Sequence, residues 1–411
     1  MINKVFFAKQ LDDKDPLRHV AERFSLPPNT VYLDGNSLGP LPKAAQTRAQ
    51  EVVNNQWGTD LIKSWNCHDW IKLPQKVGDK IGALIGAGKG QVVCCDSISI
   101  NLFKVLSAAL KMRPERKVIA TTRDNFPTDI YMVQGLLSLL GDEYSIRYID
   151  EADVESQLTD EIAVLMLTQV NFRSGFKQNM EAVTRQAHTM GILTLWDLAH
   201  SAGAFVVELD ECQVDFAVGC TYKYLNGGPG SPAFVYVAKR HQEEYRQPLS
   251  GWMGHKSPFA FTPDYEAQNS VNQNLCGTPA ILSMSVLDAA LSVFESVTLK
   301  AIDEKSKKLQ AFFAAEGKRA GLCDYMEIVS PAIENRGSQL ALSHPDAYAI
   351  CQAWIAEGVI ADFRAPNILR IGFAPLYLSF ADVELAVLKL AEIMRNKTYE
   401  NEVFQRKQHV T

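Results

Sequence analysis

The feature that most constrains this fold is the alternation of short apolar runs with longer helical patterns through the middle of the chain. Runs rich in β-branched residues predict strands at residues 118–122, 162–169, 192–197, 216–222 and 233–237. Amphipathic patterns predict helices between them at residues 101–111, 129–140 and 180–190. This alternation is typical of crossover connections, and continuous apolar runs indicate strands that are covered on both faces. The sequence therefore predicts an α/β fold with a mostly parallel sheet.

The pattern changes after about residue 279, where helices dominate. Helical periodicity predicts four helices at residues 280–293, 299–320, 348–357 and 380–395, with short strands between them. A chain of 411 residues is also long enough for two domains. We therefore predict a large domain of residues 41–285 and a smaller α+β domain, in which residues 1–40 pack with residues 286–411.

Charge and cysteine usage exclude several classes of function. The chain has 41 basic and 47 acidic residues without a block of like charge, which argues against a nucleic-acid partner. Its apolar runs are far shorter than the roughly 18–20 residues of a membrane span, and its N-terminus lacks a targeting pattern. The eight cysteines form no C-x-x-C pair and no cluster with histidines at metal-ligand spacing. We therefore expect a cytoplasmic protein with reduced thiols, no metal and no membrane partner.

A glycine-rich segment, GAGKG at residues 86–90, has the composition of a phosphate loop. It fits neither the P-loop nor the dinucleotide-binding motif. Ala83 occupies the position of the first glycine of a P-loop, and Gln91 occupies the position of the third glycine of a dinucleotide-binding site. A turn at the C-terminal end of a helix is the favoured interpretation.

A stronger pattern lies where two predicted strands end. Asp197 ends one apolar strand, His200 follows it, and Lys223 follows the next strand before a glycine-rich turn. Ligands bind at the carboxyl ends of strands in open parallel sheets, so one strand–helix–strand unit could bring a carboxylate and an amine to the same edge. From spacing alone, a catalytic pair and a structural salt bridge are equally good interpretations.

The motifs around these residues resemble a known family. Asp-x-Ala-His at residues 197–200, followed by Thr-Tyr-Lys and a GGPGS loop, resembles the pyridoxal-phosphate enzymes of the aspartate aminotransferase-like fold, class V branch (fold type I). Four further segments are similar to the kynureninase family, and the similarity runs from about residue 30 to 395. These segments are DGNSLGPLP (34–42), NFPTD (125–129), GWMGH (251–255) and LRIGFAPLYLSFADV (369–383).

This resemblance implies an activity, a cofactor and an assembly. It implies a pyridoxal 5'-phosphate-dependent hydrolase of carbon–carbon bonds that cleaves L-kynurenine to anthranilate and L-alanine, in tryptophan catabolism and NAD biosynthesis. The 3-hydroxy form of kynurenine, which would give 3-hydroxyanthranilate, is the alternative substrate, and residues beside the aromatic ring decide between them. The family resemblance also implies a homodimer.

The resemblance assigns the reacting groups. Lys223 would form the Schiff base, and Asp197 would pair with the pyridinium nitrogen so that the ring accepts electrons. Tyr222 would bond the phosphate and donate a proton, which makes these three the predicted catalytic residues. His200 would stack on or hydrogen-bond the cofactor, unless it is a core histidine.

Further cofactor contacts follow from the same resemblance. They are Ile98, Ser99, Phe126, Asp129, Thr168, Trp252 and Thr278, of which Trp252 and Thr278 match positions that partly come from the partner subunit. Ser97 precedes a predicted helix, where amides and the helix dipole favour an anion, but it could equally be a helix cap. Phe126 would stack on the ring with Asp129 beside it; a core phenylalanine and a capping acid are the alternatives.

Arg370 is the predicted substrate anchor. It lies in an apolar, strand-like run, where a guanidinium needs an anion, and the α-carboxylate of the substrate would accept its two parallel hydrogen bonds. A structural salt bridge is the alternative. Asn36, Ser37 and His255 are weaker candidates for the substrate side.

Two other functions fit parts of the sequence. A cysteine desulfurase-like lyase or a class V aminotransferase would share the fold, but Cys323 and Cys351 lack the surroundings of a reactive cysteine on a mobile loop. A cofactor-holding regulatory module would need an appended DNA-binding helix pair or basic arm, and the sequence contains neither.

Overall fold

A computed structural model of the chain describes residues 2–408, with side chains from residue 7 onward. The strands of the described residues are, in chain order, β1 (Phe24–Ser25), β2 (Val31–Tyr32), β3 (Leu41–Pro42), β4 (Val92–Cys94), β5 (Val118–Thr122), β6 (Ser145–Ile149), β7 (Ile162–Thr168), β8 (Leu193–Asp197), β9 (Phe216–Gly219), β10 (Phe234–Val237), β11 (Glu327–Ile328), β12 (Gln339–Ser343), β13 (Val359–Ile360), β14 (Asp362–Arg364) and β15 (Ile368–Gly372).

Helices surround these strands. The α-helices are α1 (Ile2–Asp13), α2 (Lys43–Glu51), α3 (Ser64–Cys67), α4 (Leu73–Leu84), α5 (Ile98–Lys111), α6 (Pro127–Leu140), α7 (Met180–Thr189), α8 (Ile281–Ala290), α9 (Leu299–Arg319), α10 (Ala347–Ala356), α11 (Phe380–Asn396) and α12 (Glu402–Gln405). Short 3₁₀ turns connect many of them, and a π-helical segment, Val52–Trp57, continues α2.

The central layer is a seven-stranded sheet in the order β4-β10-β9-β8-β7-β5-β6. From β9 to β6 all neighbours pair in parallel, whereas β10 runs antiparallel to β9 and β4. Strands β5, β7, β8 and β9 are buried along their whole length, as strands covered by helices on both faces must be. The predicted mostly parallel sheet is confirmed.

Two details of this sheet differ from the sequence prediction. The strand predicted at residues 216–222 ends at Gly219, because the chain turns there toward Lys223. The connection from β8 to β9 contains no α-helix, so the predicted strand–helix–strand unit is wrong at this place. Residues 198–215 instead follow a series of turns, one of which needs the left-handed backbone of Gly203 (φ +83°).

A second, antiparallel sheet with the order β11-β12-β15-β14 lies in the C-terminal part of the chain. The N-terminal segment packs with this part: β2 pairs with β13, and the carboxylate of Asp12 accepts hydrogen bonds from the amides of Phe380 and Ala381 at the start of α11. Asp15 forms an ion pair of 2.6 Å with the buried Lys305 of α9. The domain boundaries at residues 40/41 and 285/286 stay a prediction.

Within residues 2–408, no single helix is both long and apolar enough to cross a membrane. One pair of consecutive helical segments, Ile281–Phe294 and Leu299–Arg319, reaches that length and composition together, and it is bent by 77°.

Candidate active site

A cavity of about 190 Å³ opens at the carboxyl ends of β7, β8 and β9. Each of these strands delivers polar side chains there at its last residue or in the following turn, which is where an open parallel sheet binds ligands. The cavity brings together most of the predicted cofactor contacts: Ile98, Ser99, Phe126, Asp129, Thr168, Asp197, His200, Tyr222 and Lys223.

Lys223 lies in the turn after β9, and its amine projects into the cavity. Its Nζ atom is 2.9 Å from Nε2 of His200. Burial lowers the pKa of Lys223, although Cys220 and the charge of Asp197 oppose that shift. A lysine in this position holds more of the neutral amine, the nucleophilic form, than a lysine in water.

The backbone around Lys223 is held by the N-terminal segment. The amide of Gly39 donates a hydrogen bond of 2.7 Å to the carbonyl of Tyr222. A Cβ atom at residue 39 would lie 2.3 Å from the carbonyl oxygen of Lys223, so only glycine permits this approach. The DGNSLGPLP segment therefore positions the lysine turn.

Two carboxyl groups face each other at the base of the cavity. Asp197 is 3% exposed and accepts a hydrogen bond from the amide of Ala199. Asp129 is fully buried, and no N–H group of the described residues donates to either of its carboxyl oxygens. Burial raises the pKa of Asp129, and the charge of Asp197 raises it further. Burial also raises the pKa of Asp197, although Lys223 opposes that shift. Such a pair of buried acids is suited to a cationic ligand.

His200 and Tyr222 stay in their neutral forms beside the lysine. Burial lowers the pKa of His200, and the positive charge of Lys223 lowers it further. Its Nδ1 atom has no hydrogen-bond partner among the described residues. The neighbouring Cys220 thiol raises the pKa of Tyr222, and burial adds to that shift, so the phenol keeps its proton.

Helix α5 begins at the rim of the same cavity. The Oγ atom of Ser97 caps the helix by accepting a hydrogen bond of 3.4 Å from the amide of Ile100, so the predicted cap is present. The first amides of a helix have no acceptor within the helix, and the helix dipole favours an anion at this end. The amides of Ile98 and Ser99 could therefore hold an anion in the cavity that the acid pair also lines.

An aromatic wall closes one side of the cavity. The ring of Phe126 is 39% exposed and lies 5.2 Å from the ring of Phe172 at 89°, an edge-to-face contact. The Nζ atom of Lys223 is 5.9 Å from the centre of the Phe126 ring. A flat ring bound above the acid pair could therefore stack on Phe126.

Arg370 is buried on β15 and already has an anionic partner. Its guanidinium donates to both carboxylate oxygens of Asp362, at 2.9 and 2.5 Å, and to Oγ of Ser37 at 2.7 Å. The salt bridge that the sequence left as an alternative is therefore present. Asn36 lies in the same region, fully buried, with both side-chain polar atoms lacking partners among the described residues.

Like Arg370, Asn36 and Ser37, three further predicted contacts do not line this cavity. Trp252 and His255 line another cavity of about 350 Å³, where Trp252 stacks on Phe261 with their ring centres 6.2 Å apart. Thr278 lines a third cavity, of about 170 Å³, together with Cys276. Within one chain, the structure does not bring these residues to Lys223.

Sequence reasoning missed several groups near the site. Thr128, Phe172, Cys220 and Ser231 line the cavity. Thr128 lies in the first turn of α6 inside the NFPTD segment and Ser231 ends the GGPGS loop, so the motifs contained both residues, whereas Phe172 and Cys220 stand in loops without a recognisable spacing. Asp362 and Arg364 were also missed, although a signal existed: Pro366 marks a turn, and Asp362 and Arg370 stand four residues before and after it. In a hairpin centred there, the acid and the arginine become cross-strand partners, as the structure shows.

Comparison with known proteins gives the following matches. The family model described as aminotransferase class-V matches residues 76–337, and the kynureninase C-terminal domain model matches residues 302–390. A kynureninase of Burkholderia pseudomallei (strain 1106a) is 48% identical over 412 aligned residues, which cover 98% of this chain and 99% of the relative. A kynureninase of Pseudomonas fluorescens is 44% identical, with 98% of each chain covered. The structure of an apo cysteine desulfurase from Thermococcus onnurineus NA1 has a TM-score of 0.76 at 18% identity, and covers 92% of this chain and 98% of its own.

Proposed function

The chain belongs to the kynureninase family, and from this membership we propose that it hydrolyses the Cβ–Cγ bond of L-kynurenine. Water adds to the γ-carbonyl carbon, the Cβ–Cγ bond breaks, and the products are anthranilate and L-alanine. The observation that carries this proposal is the convergence of Lys223, the acid pair and the start of α5 on one cavity.

The cofactor is pyridoxal phosphate, and the residues of the cavity fit it. The buried acid pair suits its ring nitrogen, the start of α5 suits its phosphate, and the Lys223 amine suits its aldehyde. The bound cofactor supplies a protonated ring that accepts electron density from the substrate. The observation behind this fit is that neither carboxyl oxygen of Asp129 has a donor within the part of the chain that the structure describes.

Lys223 moves protons at the substrate. Because burial lowers the pKa of its amine, Lys223 can take a proton from the α-carbon of the substrate and later return it. His200 is 2.9 Å away with a neutral ring, so its Nε2 can accept a hydrogen bond from the lysine and hold it in place.

Asp197 and Asp129 hold a proton at the ring nitrogen. A carboxylate in this low-dielectric site stabilises a cation more strongly than one in water, which keeps the ring protonated. Burial raises the pKa of both acids, but the charge of Asp197 raises that of Asp129 further while Lys223 opposes the shift at Asp197, so Asp197 is the proposed carrier of the negative charge. Tyr222, whose phenol keeps its proton, is the proposed donor to an intermediate.

Arg370, with Ser37, is the proposed anchor for the α-carboxylate of the substrate. Since Arg370 comes from β15 and Lys223 from the turn after β9, we propose that the substrate lies between the domain of residues 41–285 and that formed by residues 1–40 and 286–411. Asn36, buried against this cluster, is a further proposed substrate contact.

A homodimer is the proposed assembly. Trp252, His255 and Thr278 match positions at the cofactor and substrate but lie in other cavities of the same chain, which supports their use in the site of a second copy. Trp252, Phe259 and Phe261 form a cluster that is 41–77% exposed, an apolar patch suited to an interface.

The proposed location is the cytoplasm, and the proposed physiological role is tryptophan catabolism with a supply toward NAD biosynthesis. All eight cysteines are unpaired, as is usual in a reducing compartment.

A desulfurase-like reaction is less well supported. It needs a thiolate, whereas burial raises the pKa of Cys220 in the cavity and that of Cys351 in α10. Cys323 is exposed, in a 3₁₀ turn beyond α9, and it does not line the cavity.

Fluorescence of anthranilate tests the proposal directly. Purified holoenzyme mixed with L-kynurenine should release anthranilate and L-alanine in equal amounts, and 3-hydroxykynurenine in a parallel assay measures the preference between the two substrates. Absence of anthranilate together with rapid release of sulfur from L-cysteine would overturn the proposal in favour of a desulfurase.

A further inference from the structure

Asp362 and Arg370 form a cross-strand pair in the hairpin of β14 and β15. Their Cα atoms are direct partners in the antiparallel register. Oδ1 of Asp362 accepts from Nε of Arg370 at 2.9 Å and Oδ2 accepts from Nη2 at 2.5 Å, so the carboxylate holds one whole edge of the guanidinium. Both side chains are at most 4% exposed, and such a bidentate pair fixes the plane of the guanidinium.

The opposite side of the guanidinium faces the wall of the active-site cavity. Nη1 of Arg370 donates a hydrogen bond of 2.8 Å to the carbonyl of Phe172, whose ring packs on Phe126 in the cavity. Nη2 donates to Oγ of Ser37 at 2.7 Å. An arginine has five N–H hydrogens, and these bonds use four of them, so the one that remains is on Nη1.

The cluster around Asp362 carries more positive than negative charge. Asp362 is shared by two guanidinium groups, because Nη2 of Arg364 also lies 2.7 Å from Oδ2. The next acid is Asp34, and burial together with the charge of Asp362 raises the pKa of Asp34 to about 8. With Asp34 protonated at neutral pH, two cations face one anion, which leaves a net positive charge for a further anion to neutralise.

We propose that Asp362 is a positioning residue for the substrate. By holding the Nε and Nη2 edge of Arg370, it directs the Nη1 and Nη2 end toward the cavity wall. There the α-carboxylate of an amino-acid substrate accepts the remaining hydrogen of Nη1 and the hydrogen of Nη2 that Ser37 accepts in the ligand-free chain. The inference rests on the proposed function, because it assumes that the substrate is an α-amino acid whose carboxylate meets Arg370.

The test compares Asp362→Asn with a matched control, Asp288→Asn. Asp288 is also a nearly buried acid that is shared by two cations, Lys76 and Lys80, at 2.8 and 2.6 Å, but it lies outside the site. For each holoenzyme, KM and kcat are measured with L-kynurenine. The inhibition constant of the decarboxylated amine of kynurenine, which lacks the α-carboxylate, is measured in the same preparations.

We expect D362N to raise KM roughly 10- to 100-fold, because a guanidinium that loses its orienting partner no longer meets the carboxylate in the right geometry. The kcat should change by less than about threefold, and the inhibition constant of the amine should not change, since neither depends on the carboxylate contact. D288N should leave all three constants at their wild-type values.

Three results would overturn the proposal: an unchanged KM, a lowered KM, or an equal rise of KM and of the inhibition constant of the amine. An unchanged KM means that Asp362 has no role, and a lowered KM means that Asp362 competes with the substrate. The equal rise means that D362N damages the site in general. If D362N does not fold, Asp362→Ala, which removes the carboxylate, serves in its place, and a wild-type KM with Ala would contradict the positioning role.

A failure of the proposed function can be distinguished from a failure of the positioning role of Asp362. If wild-type holoenzyme does not cleave kynurenine, calorimetric titration with L-alanine and with ethylamine still tests the cluster. D362N should then weaken the binding of alanine roughly tenfold or more and leave that of ethylamine unchanged; equal weakening of both, or of neither, would refute the role of Asp362.

Discussion

Strands β8 and β9 carry a buried acidic cluster at each end, and the two clusters are built in opposite ways. At the amino ends, Asp215 precedes β9 and accepts hydrogen bonds from His188, His241, Arg240 and Thr194, each within 2.9 Å. Although burial by itself raises the pKa of Asp215, the bonds from the two histidines lower it far below its usual value.

At the carboxyl ends of the same sheet, Asp129 and Asp197 are as deeply buried but have few donors. Their pKa values are raised, because burial is not offset by enough partners. Within residues 2–408, Asp215 has a full set of donors and Asp129 has none, which indicates that Asp129 awaits a partner from outside these residues. The difference separates a cluster that stabilises the fold from one that binds a ligand.

The largest expected effect concerns Lys223. Lys223→Ala should lower kcat for kynurenine cleavage by roughly 10²- to 10⁴-fold, because the group that moves the proton is lost. The free energy of unfolding of the ligand-free protein should not fall, since His200 is the one hydrogen-bond partner of the Lys223 amine among the described residues. Stopped-flow assays and urea denaturation measure the two quantities. Retention of full activity would show that the cavity at the carboxyl ends of β8 and β9 is not the catalytic site.

A smaller effect is expected at the structural end. Asp215→Asn should lower the free energy of unfolding by roughly 2–3 kcal/mol, because it breaks a buried, charge-assisted network. This value is at the low end for a buried pair, because Arg240 and His188 are 39% and 33% exposed and solvent screens them. Urea denaturation measures it, and the kcat of the folded variant should stay within about twofold of wild type.

The pH dependence of stability should have opposite signs at the two ends. Asp215, with a lowered pKa, contributes stability above the unfolded-state pKa of about 4, and this stability is lost as the pH falls below that value. Asp129, with a raised pKa, contributes stability below about pH 4 that is lost as the pH rises through its folded-state pKa.

Urea denaturation of the ligand-free protein between pH 3 and 8 checks these signs. As the pH rises from 4, Asp129→Asn should become progressively more stable relative to wild type. The deficit of Asp215→Asn should shrink only as the pH falls below about 4. Parallel curves for the two variants would show that the acids do not differ.

The threonine hydroxyl groups at the two ends of the strands should differ modestly in their contribution to the free energy of unfolding. Thr194→Val removes one hydrogen bond of 2.9 Å to buried Asp215 and should lower the free energy of unfolding by about 1 kcal/mol. Thr168→Val in the cavity removes only a weak bond of 3.3 Å to the carbonyl of Val170 and should lower it by less. Chemical denaturation of both variants measures this difference, and a larger loss for Thr168→Val would contradict the comparison.

Much of this arrangement could be predicted from the sequence, because continuous apolar runs specify buried strands. The run at residues 118–122 became β5 with the same bounds. The last residue of β9 could not be predicted from its apolar run, because residues 220–222 continue that run although the chain already turns toward Lys223. Strand β4 has only three residues and was missed, and the antiparallel direction of β10 depends on its pairing with both β9 and β4.

The residues of the site were predictable to the extent that they stand in motifs. The D-x-A-H and Thr-Tyr-Lys segments come to one cavity because both follow neighbouring parallel strands. Asp362 escaped prediction because only the register of a hairpin places it opposite Arg370. Trp252 and Thr278 lie in other cavities of the chain. A sequence pattern does not indicate whether a residue contributes to the site of its own subunit or to the site of a second copy.

The most direct test of the account is the free energy of unfolding of ligand-free Asp129→Asn, measured beside Asp215→Asn at pH 7. We expect Asp129→Asn to be at least as stable as wild type, because it removes a buried acid that has no donor among the described residues. We also expect added pyridoxal phosphate to stabilise the variant less than wild type. If Asp129→Asn instead loses as much stability as Asp215→Asn, the acid at the carboxyl end stabilises the fold and is not held ready for a ligand.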